Sequence, residues 1–209
     1  MGLKAQKHLK SYCEELSSGK GSPGGGSASA AAGAIAASLL AMVCEVTRAN
    51  RRYEEHWKAL DELNERALEK MSRLLVLAKE DAEAYDAMVR AARKQRRNST
   101  PKSIEELNKA IKRAADVPMK TASTCADVLE ISYRVAEIGT KSALSDMGVA
   151  IFLAETGFKG ASMNVSINLK SLKDSDFVGR MRSSLSRQEE RASTSARKAF
   201  AAIEKGLST

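Results

Sequence analysis

From Arg51 to Arg97 the chain contains neither glycine nor proline, and apolar residues return at Trp57, Leu60, Leu63, Ala67, Met71, Leu74, Leu75, Ala78, Tyr85, Met88 and Val89. Spacings of three and four place most of them on one helix face. Alternation with a period of two is not sustained anywhere in the sequence, so strands are not expected. A single helix over this run would span roughly 70 Å at 1.5 Å per residue, longer than one compact domain of this size needs. Leaving half of such a stripe exposed would make a patch too large for a soluble monomer. The run therefore predicts an all-α helical bundle with one very long helix, dimeric, with the long helices near the axis of a symmetric homodimer.

The remaining segments fit that frame as one domain over residues 1–209. Gly2 to Leu16 predicts a first helix, with Leu3, Leu9, Tyr12, Cys13 and Leu16 near a helical period. Ser17 to Gly26 holds five glycines and Pro23, too many to continue it. Ser27 then caps a second helix to about Arg48, whose Ala30, Ala34, Ala37 and Ala41 leave one side bare enough for another backbone to approach. Pro101 marks a break, and Ser103 to Glu106 reads as a capping box. Pro118 is expected to interrupt the helix that follows, and Gly139 to end its continuation. Ser145 or Asp146 caps the next helix, to Glu155, before a short one over Ala161–Leu169. Asp174 caps an amphipathic last helix reaching Leu207.

At 209 residues the chain buries a core without disulfide or metal staples. Cys13, Cys44 and Cys125 are far apart, and only His8 and His56 are available to join them. Neither a disulfide framework nor a zinc site is expected. The charged N-terminus lacks the apolar core of a signal peptide, so the expected location is the cytoplasm. Ala28 to Val46 is long enough to approach a membrane span, but its alanines, serines and glycines suit helix packing better than lipid. No membrane partner is expected.

The net charge of +8 favours an anionic partner. Its densest run, Arg90 to Arg97, lacks the interleaved aromatics that stack bases and reads as a solvated helix end. A basic scaffold or nucleic-acid-binding protein is the rival reading from charge alone. More specific chemistry lies elsewhere. Pro23, Gly24, Gly25, Gly26 and Ser27 open a helix with bare amides, which suit an anion or a flat polar ligand. No Lys-Ser or Lys-Thr follows the glycines, so this is not a nucleotide P-loop. Asp81 and Tyr85, four apart in Glu80–Tyr85, share a helix face beside apolar positions; an isolated helix aspartate is ordinarily solvent-exposed, but desolvation beside that stripe would raise the carboxyl's pKa and fit it for acid–base work. Asn164 and Asn168 likewise share a face amid apolar residues, and their amides need partners. Asp146 is explained by capping.

Taken in order, these elements resemble the cyclodeaminase and methenyltetrahydrofolate cyclohydrolase family across nearly the whole chain. The resemblance rests on the Pro23–Ser27 loop with its alanine-rich helix, Met42 and Val43 before Thr47, Tyr53, Glu80–Tyr85, Val117-Pro118, Ser145-Asp146 with Gly148-Val149-Ala150, Gly160-Ala161, and Asn164-Val165 followed by Ile167-Asn168. Two places differ: Arg48–Tyr53 stands where the family has Gly-Lys-Lys-Lys-Tyr, and Thr140 follows Gly139 where the family tends to have Asn. The resemblance implies an enzyme of folate one-carbon metabolism, commonly dimeric, without a metal or tightly bound cofactor. Its substrate would be a tetrahydrofolate derivative, free or polyglutamylated. Asp81 would be the general acid/base with Tyr85 beside it, and Asp146, Asn164 and Asn168 would hold the pteridine or orient water. Arg51 and Arg52 would meet the glutamate tail. Formiminotetrahydrofolate cyclodeaminase is the first expectation, with methenyltetrahydrofolate cyclohydrolase and a non-catalytic folate binder as alternatives.

Overall fold

A computed structural model describes residues 2–208, and the side chains of residues 6–208. Helices α1 (Gly2–Ser17), α2 (Gly25–Arg48), α3 (Trp57–Arg97), α4 (Pro101–Ile138), α5 (Leu144–Leu169) and α6 (Ser175–Leu207) account for nearly all of them. Short 3-10 turns at Arg51–His56 and Lys141–Ala143 link α2 to α3 and α4 to α5. No strand occurs among the described residues.

Helix α3 has 41 residues and starts six positions later than expected, because Tyr53 leaves helical geometry at φ −108° and ψ 20°. It is also not alone in its length: α4 has 38 residues and α6 has 33. Three long helices share the core, so the long apolar stripe finds much of its cover within the chain. α2 lies against both α3 and α5, α4 backs all three, and α6 packs on α4 and α5. α2 is long and apolar enough to cross a bilayer, but most of that stretch is buried inside the bundle.

The bare side of α2 is used as the sequence implies. Ala30, Ala34, Ala37 and Ala41 are buried, and α5 comes close at its glycines. A Cβ on Gly157 would lie 2.7 Å from the Ser29 carbonyl, and one on Gly160 would lie 2.3 Å from Ser29 Oγ. This close approach explains why α5 is one helix from Leu144 to Leu169, where two were expected: packing against α2 outweighs the roughly 1 kcal/mol propensity cost of each glycine. The caps also shift. Thr100 and Ser103 form a reciprocal capping box with Pro101 in the first turn, so Ser103 is its inner member. Asp174 caps α6 through the Phe177 amide at 2.9 Å, as expected. Asp146 sits in the first turn of α5 and caps nothing, since Ala143 holds the N-cap position without a side-chain bond.

Pro118 does not interrupt α4. Proline has no amide to donate, which leaves the carbonyl of Ala114, four residues back, without its helical partner. Asn168 Nδ2 of α5 donates to that carbonyl at 2.6 Å. A buried acceptor is thereby satisfied from a neighbouring helix. Asn168→Leu is expected to destabilise the protein by about 1–3 kcal/mol, the cost of stranding such a group. Urea unfolding of the variant beside Pro118→Ala/Asn168→Leu would check it, because restoring the amide at position 118 should recover much of the loss.

Candidate active site

Helix α2 begins two residues earlier than Ser27, at Gly25. Gly24 occupies the N-cap position and has no side chain to offer. The first-turn amides need an acceptor, and α3 supplies one: the backbone N–H of Ser27 donates to the Asp81 carboxylate. A Cβ on Gly26 would fall 2.3 Å from Asp81 Oδ1 and 2.5 Å from its Cγ. Only a glycine leaves room for the carboxylate to sit on this turn. Asp81 thus acts as the missing cap of α2, brought from another helix.

Two opposing effects act on that carboxyl. Burial disfavours its charge and raises its pKa above the ordinary carboxylate range, and the Ser27 amide works in the other direction. Burial wins. A carboxyl so placed holds its proton to higher pH than an exposed aspartate, while the helix N-terminus still favours the anion once formed. Such a group can both accept and return a proton.

Around it lies a cavity of about 240 Å³. The glycine loop forms one wall through Gly21, Ser22, Gly24, Gly25 and Gly26. Asp81, Ala82, Tyr85 and Met88 of α3 form another, and Asn164, Ile167 and Asn168 of α5 face them, with Ala114 of α4 also lining the space. Gly21, at φ +84°, has the Tyr85 ring beside it, with the hydroxyl 3.0 Å from where a Cβ would stand. Tyr85 is 39% exposed and packs the loop at the cavity mouth. Asn164 Nδ2 donates to the Gly160 carbonyl at 2.8 Å and Asn168 Nδ2 to Ala114, so each amide is fixed with its Oδ1 acceptor left for other donors.

The sequence-derived site therefore divides. Gly24, Gly25, Gly26, Asp81, Tyr85, Asn164 and Asn168 come together around one cavity. Pro23 and Ser27 do not line it: Pro23 shapes the loop, and Ser27, 2% exposed, works from behind through its amide. Arg51 and Arg52 are exposed on the 3-10 turn that follows α2, roughly 35 Å of helix away from Gly25. Asp146 begins α5, roughly 27 Å of helix from Asn164. Helices α2 and α5 carry the cavity at one end and these three residues at the other, so the chain's own fold does not bring them to it. Ala114, Ile167 and Met88 were not foreseen. Ala114 had a signal, since it stands four residues before Pro118. A larger recess of about 630 Å³ lies between α4 and α6, but its Glu137 is already engaged by Tyr133 and Arg134.

What these features define is an all-helical site, in which a buried carboxylate seated on a glycine-rich helix start faces two fixed amides. Residues 8–187 match the model of the formiminotransferase-cyclodeaminase family, and the chain belongs to that family. It is 32% identical over 172 residues to the methenyltetrahydrofolate cyclohydrolase of Methylorubrum extorquens, covering 81% of this chain and 83% of that protein. It is 30% identical over 200 residues to the formimidoyltransferase-cyclodeaminase of Rattus norvegicus, covering 94% of this chain but 37% of the rat protein. The crystal structure of formiminotetrahydrofolate cyclodeaminase from Thermotoga maritima matches with a TM-score of 0.87 and 31% identity, over 94% of this chain and 96% of that one.

Proposed function

We propose that the chain acts on the one-carbon unit of a tetrahydrofolate as a formiminotetrahydrofolate cyclodeaminase. The observation that carries this reading is Asp81, raised in pKa and held on the first turn of α2 in a cavity with two fixed amides. In the reaction N10 attacks the formimino carbon on N5, a tetrahedral carbon forms between the two nitrogens, and ammonia leaves as the methenyl bridge closes. Asp81 takes the proton shed by N10 and returns it to the departing amine. The Oδ1 atoms of Asn164 and Asn168 accept from the N–H groups of the pteridine, and the backbone of Gly24 to Gly26 gives it a flat approach. Tyr85 borders the bound ring. The folate is substrate, with no tightly bound cofactor.

A second reading, methenyltetrahydrofolate cyclohydrolase, is favoured by the similarity to the Methylorubrum extorquens cyclohydrolase along most of both chains. There water adds to the methenyl carbon, the bond to N5 breaks, and the 10-formyl compound results. The same carboxyl would take the water's proton and pass it to N5. Following the methenyl chromophore from each substrate separates the two: it appears with 5-formimino-tetrahydrofolate and disappears with the methenyl compound. Folate binding without either change would leave a non-catalytic binder. Steeply salt-dependent DNA binding with no folate response would return the basic scaffold.

The same reading places the protein in the cytoplasm, in keeping with its unpaired Cys13, Cys44 and Cys125, and makes it a symmetric homodimer. The long helix α3 was expected at the axis, but it is one of three long helices, and support for the dimer comes instead from outward apolar side chains of two adjacent helices, Ile35, Met42 and Val46 on α2 and Val149, Met163 and Ile167 on α5. A two-fold axis perpendicular to α2 in this face would set the partner's α2 antiparallel, and by that route Arg51, Arg52 and Asp146 would approach the folate of the other subunit. Light scattering should return twice the monomer mass of 22.5 kDa. An active monomer would remove this part of the proposal.

A further inference from the structure

Helix α1 is attached unlike any other element of the fold. Among its described side chains only Tyr12 and Leu16, one turn apart, are half-buried, and the rest face solvent. Its link to α2 contains Gly19 at φ +70° and Gly21 at φ +84°, conformations that glycine enters freely. Gly19 has open space around it. α1 thus hangs on a jointed connection, and among the described residues a hydrogen bond between Tyr12 and Ser27, with Oη and Oγ 3.0 Å apart, ties it to the bundle. Ser27 is the residue whose amide holds Asp81. One buried serine therefore ties α1 by its side chain and the acid–base carboxyl by its backbone.

The cavity is also small. At about 240 Å³ it lies below the usual 300–1,000 Å³ of ligand pockets, enough for a bicyclic ring but not for a whole folate. No residue of α1 lines the cavity, but Gly21 and Ser22 of the joint do, so movement of α1 would shift one wall of the cavity without disturbing the core.

Resting on the folate reading above, we propose that α1 is a cover for the substrate site, and that Tyr12 is the positioning residue that seats it by bonding Ser27 and so holds the first turn of α2 against Asp81. Tyr12 touches neither the reacting carbon nor the pteridine. Its effect passes through Ser27, so it belongs to turnover more than to affinity. Burial of the Tyr12 hydroxyl raises its pKa and keeps it neutral, and either hydroxyl can donate in the bond to Ser27.

The test is kinetic and uses the full chain with Tyr12→Phe, Ser27→Ala and the double variant. Tyr12→Phe keeps the ring and removes only the hydroxyl. It is expected to lower kcat about 3- to 10-fold, the worth of one hydrogen bond, with KM nearly unchanged. The double variant should be no slower than Ser27→Ala, because both changes break the same link. In parallel, tetrahydrofolate should slow tryptic cleavage after Lys10 and Lys20 in the wild type and much less in Tyr12→Phe. Wild-type kcat in Tyr12→Phe would overturn the role of Tyr12, as would losses that add to those of Ser27→Ala, or a lowered melting temperature that accounts for the loss. Cleavage indifferent to folate in the wild type would overturn the cover. A wild-type chain inert toward both folate substrates would sink the folate reading and this one with it, whereas an active wild type beside an unaltered Tyr12→Phe sinks only the role of Tyr12.

Discussion

Asp81→Asn should lower turnover about 10²- to 10⁴-fold, the usual range for removal of a general acid/base, while folate affinity and helical content stay close to wild type. The change is nearly isosteric, and an asparagine Oδ1 still accepts from the Ser27 amide, so the first turn of α2 keeps its cap. Only the transferable proton is lost. The variant also carries a stability signature whose sign follows from burial. Because burial raises the Asp81 pKa in the folded chain, the native state binds that proton more tightly than the unfolded state. The resulting stabilisation is complete below the ordinary carboxylate range and is lost as pH rises through the raised folded-state value. Asparagine does not titrate. The melting temperature of Asp81→Asn relative to wild type should therefore climb as pH increases through that window, then level off. A relative melting temperature that falls over the same window would mean that the amides of α2 outweigh burial, and would remove the basis for an elevated pKa. Wild-type turnover in the variant would remove Asp81 from the chemistry altogether.

How far the sequence reached depended on whether the deciding contact was local. Helical periodicity located α3, α4 and α6, and the Asp174 cap, because those signals lie within a few residues. The four-residue spacings of Asp81 with Tyr85 and of Asn164 with Asn168 put the right side chains on shared faces, and the fold joins those faces around one cavity. Errors arose where a distant element settled the outcome. Pro118 looked like a break until Asn168, 54 residues away, supplied the missing donor. The stretch between Glu155 and Ala161 looked like a break until α2 packed on Gly157 and Gly160. Ser27 looked like a cap by residue type, yet the cap of α2 is a carboxylate from α3. Tyr12 carried no signal, since nothing in its neighbourhood marks a hydroxyl aimed across the loop at Ser27. Arg51, Arg52 and Asp146 were grouped with the site by resemblance, and helix direction puts them at the other end of α2 and α5.

The glycines at the start of α2 are not equivalent, and substituting them one at a time should show it. Gly26→Ala is expected to cost nearly as much turnover as Asp81→Asn, about 10²-fold or more, because the new methyl would occupy the place of the carboxylate itself. No rotation of a flexible tip relieves this overlap, since Oδ1, Oδ2 and Cγ of Asp81 all lie within 2.5 Å of the added atom. Either the Asp81 side chain leaves the helix start or α3 moves off α2, and each separates the acid–base group from the Ser27 amide. Gly25→Ala meets only Asn164 Nδ2, at an ordinary 3.7 Å. That variant should fold and keep Asp81 in place, and its cost should appear in KM, as the methyl intrudes on the cavity where the ligand approaches backbone. Gly26→Ala in an Asp81→Asn background should add little further loss of turnover, because the group it displaces no longer transfers a proton. Steady-state kinetics on the three variants decides the matter. Equal, modest losses at both glycines would mean that the loop is only a connector, and that Asp81 does not depend on Gly26 for its place.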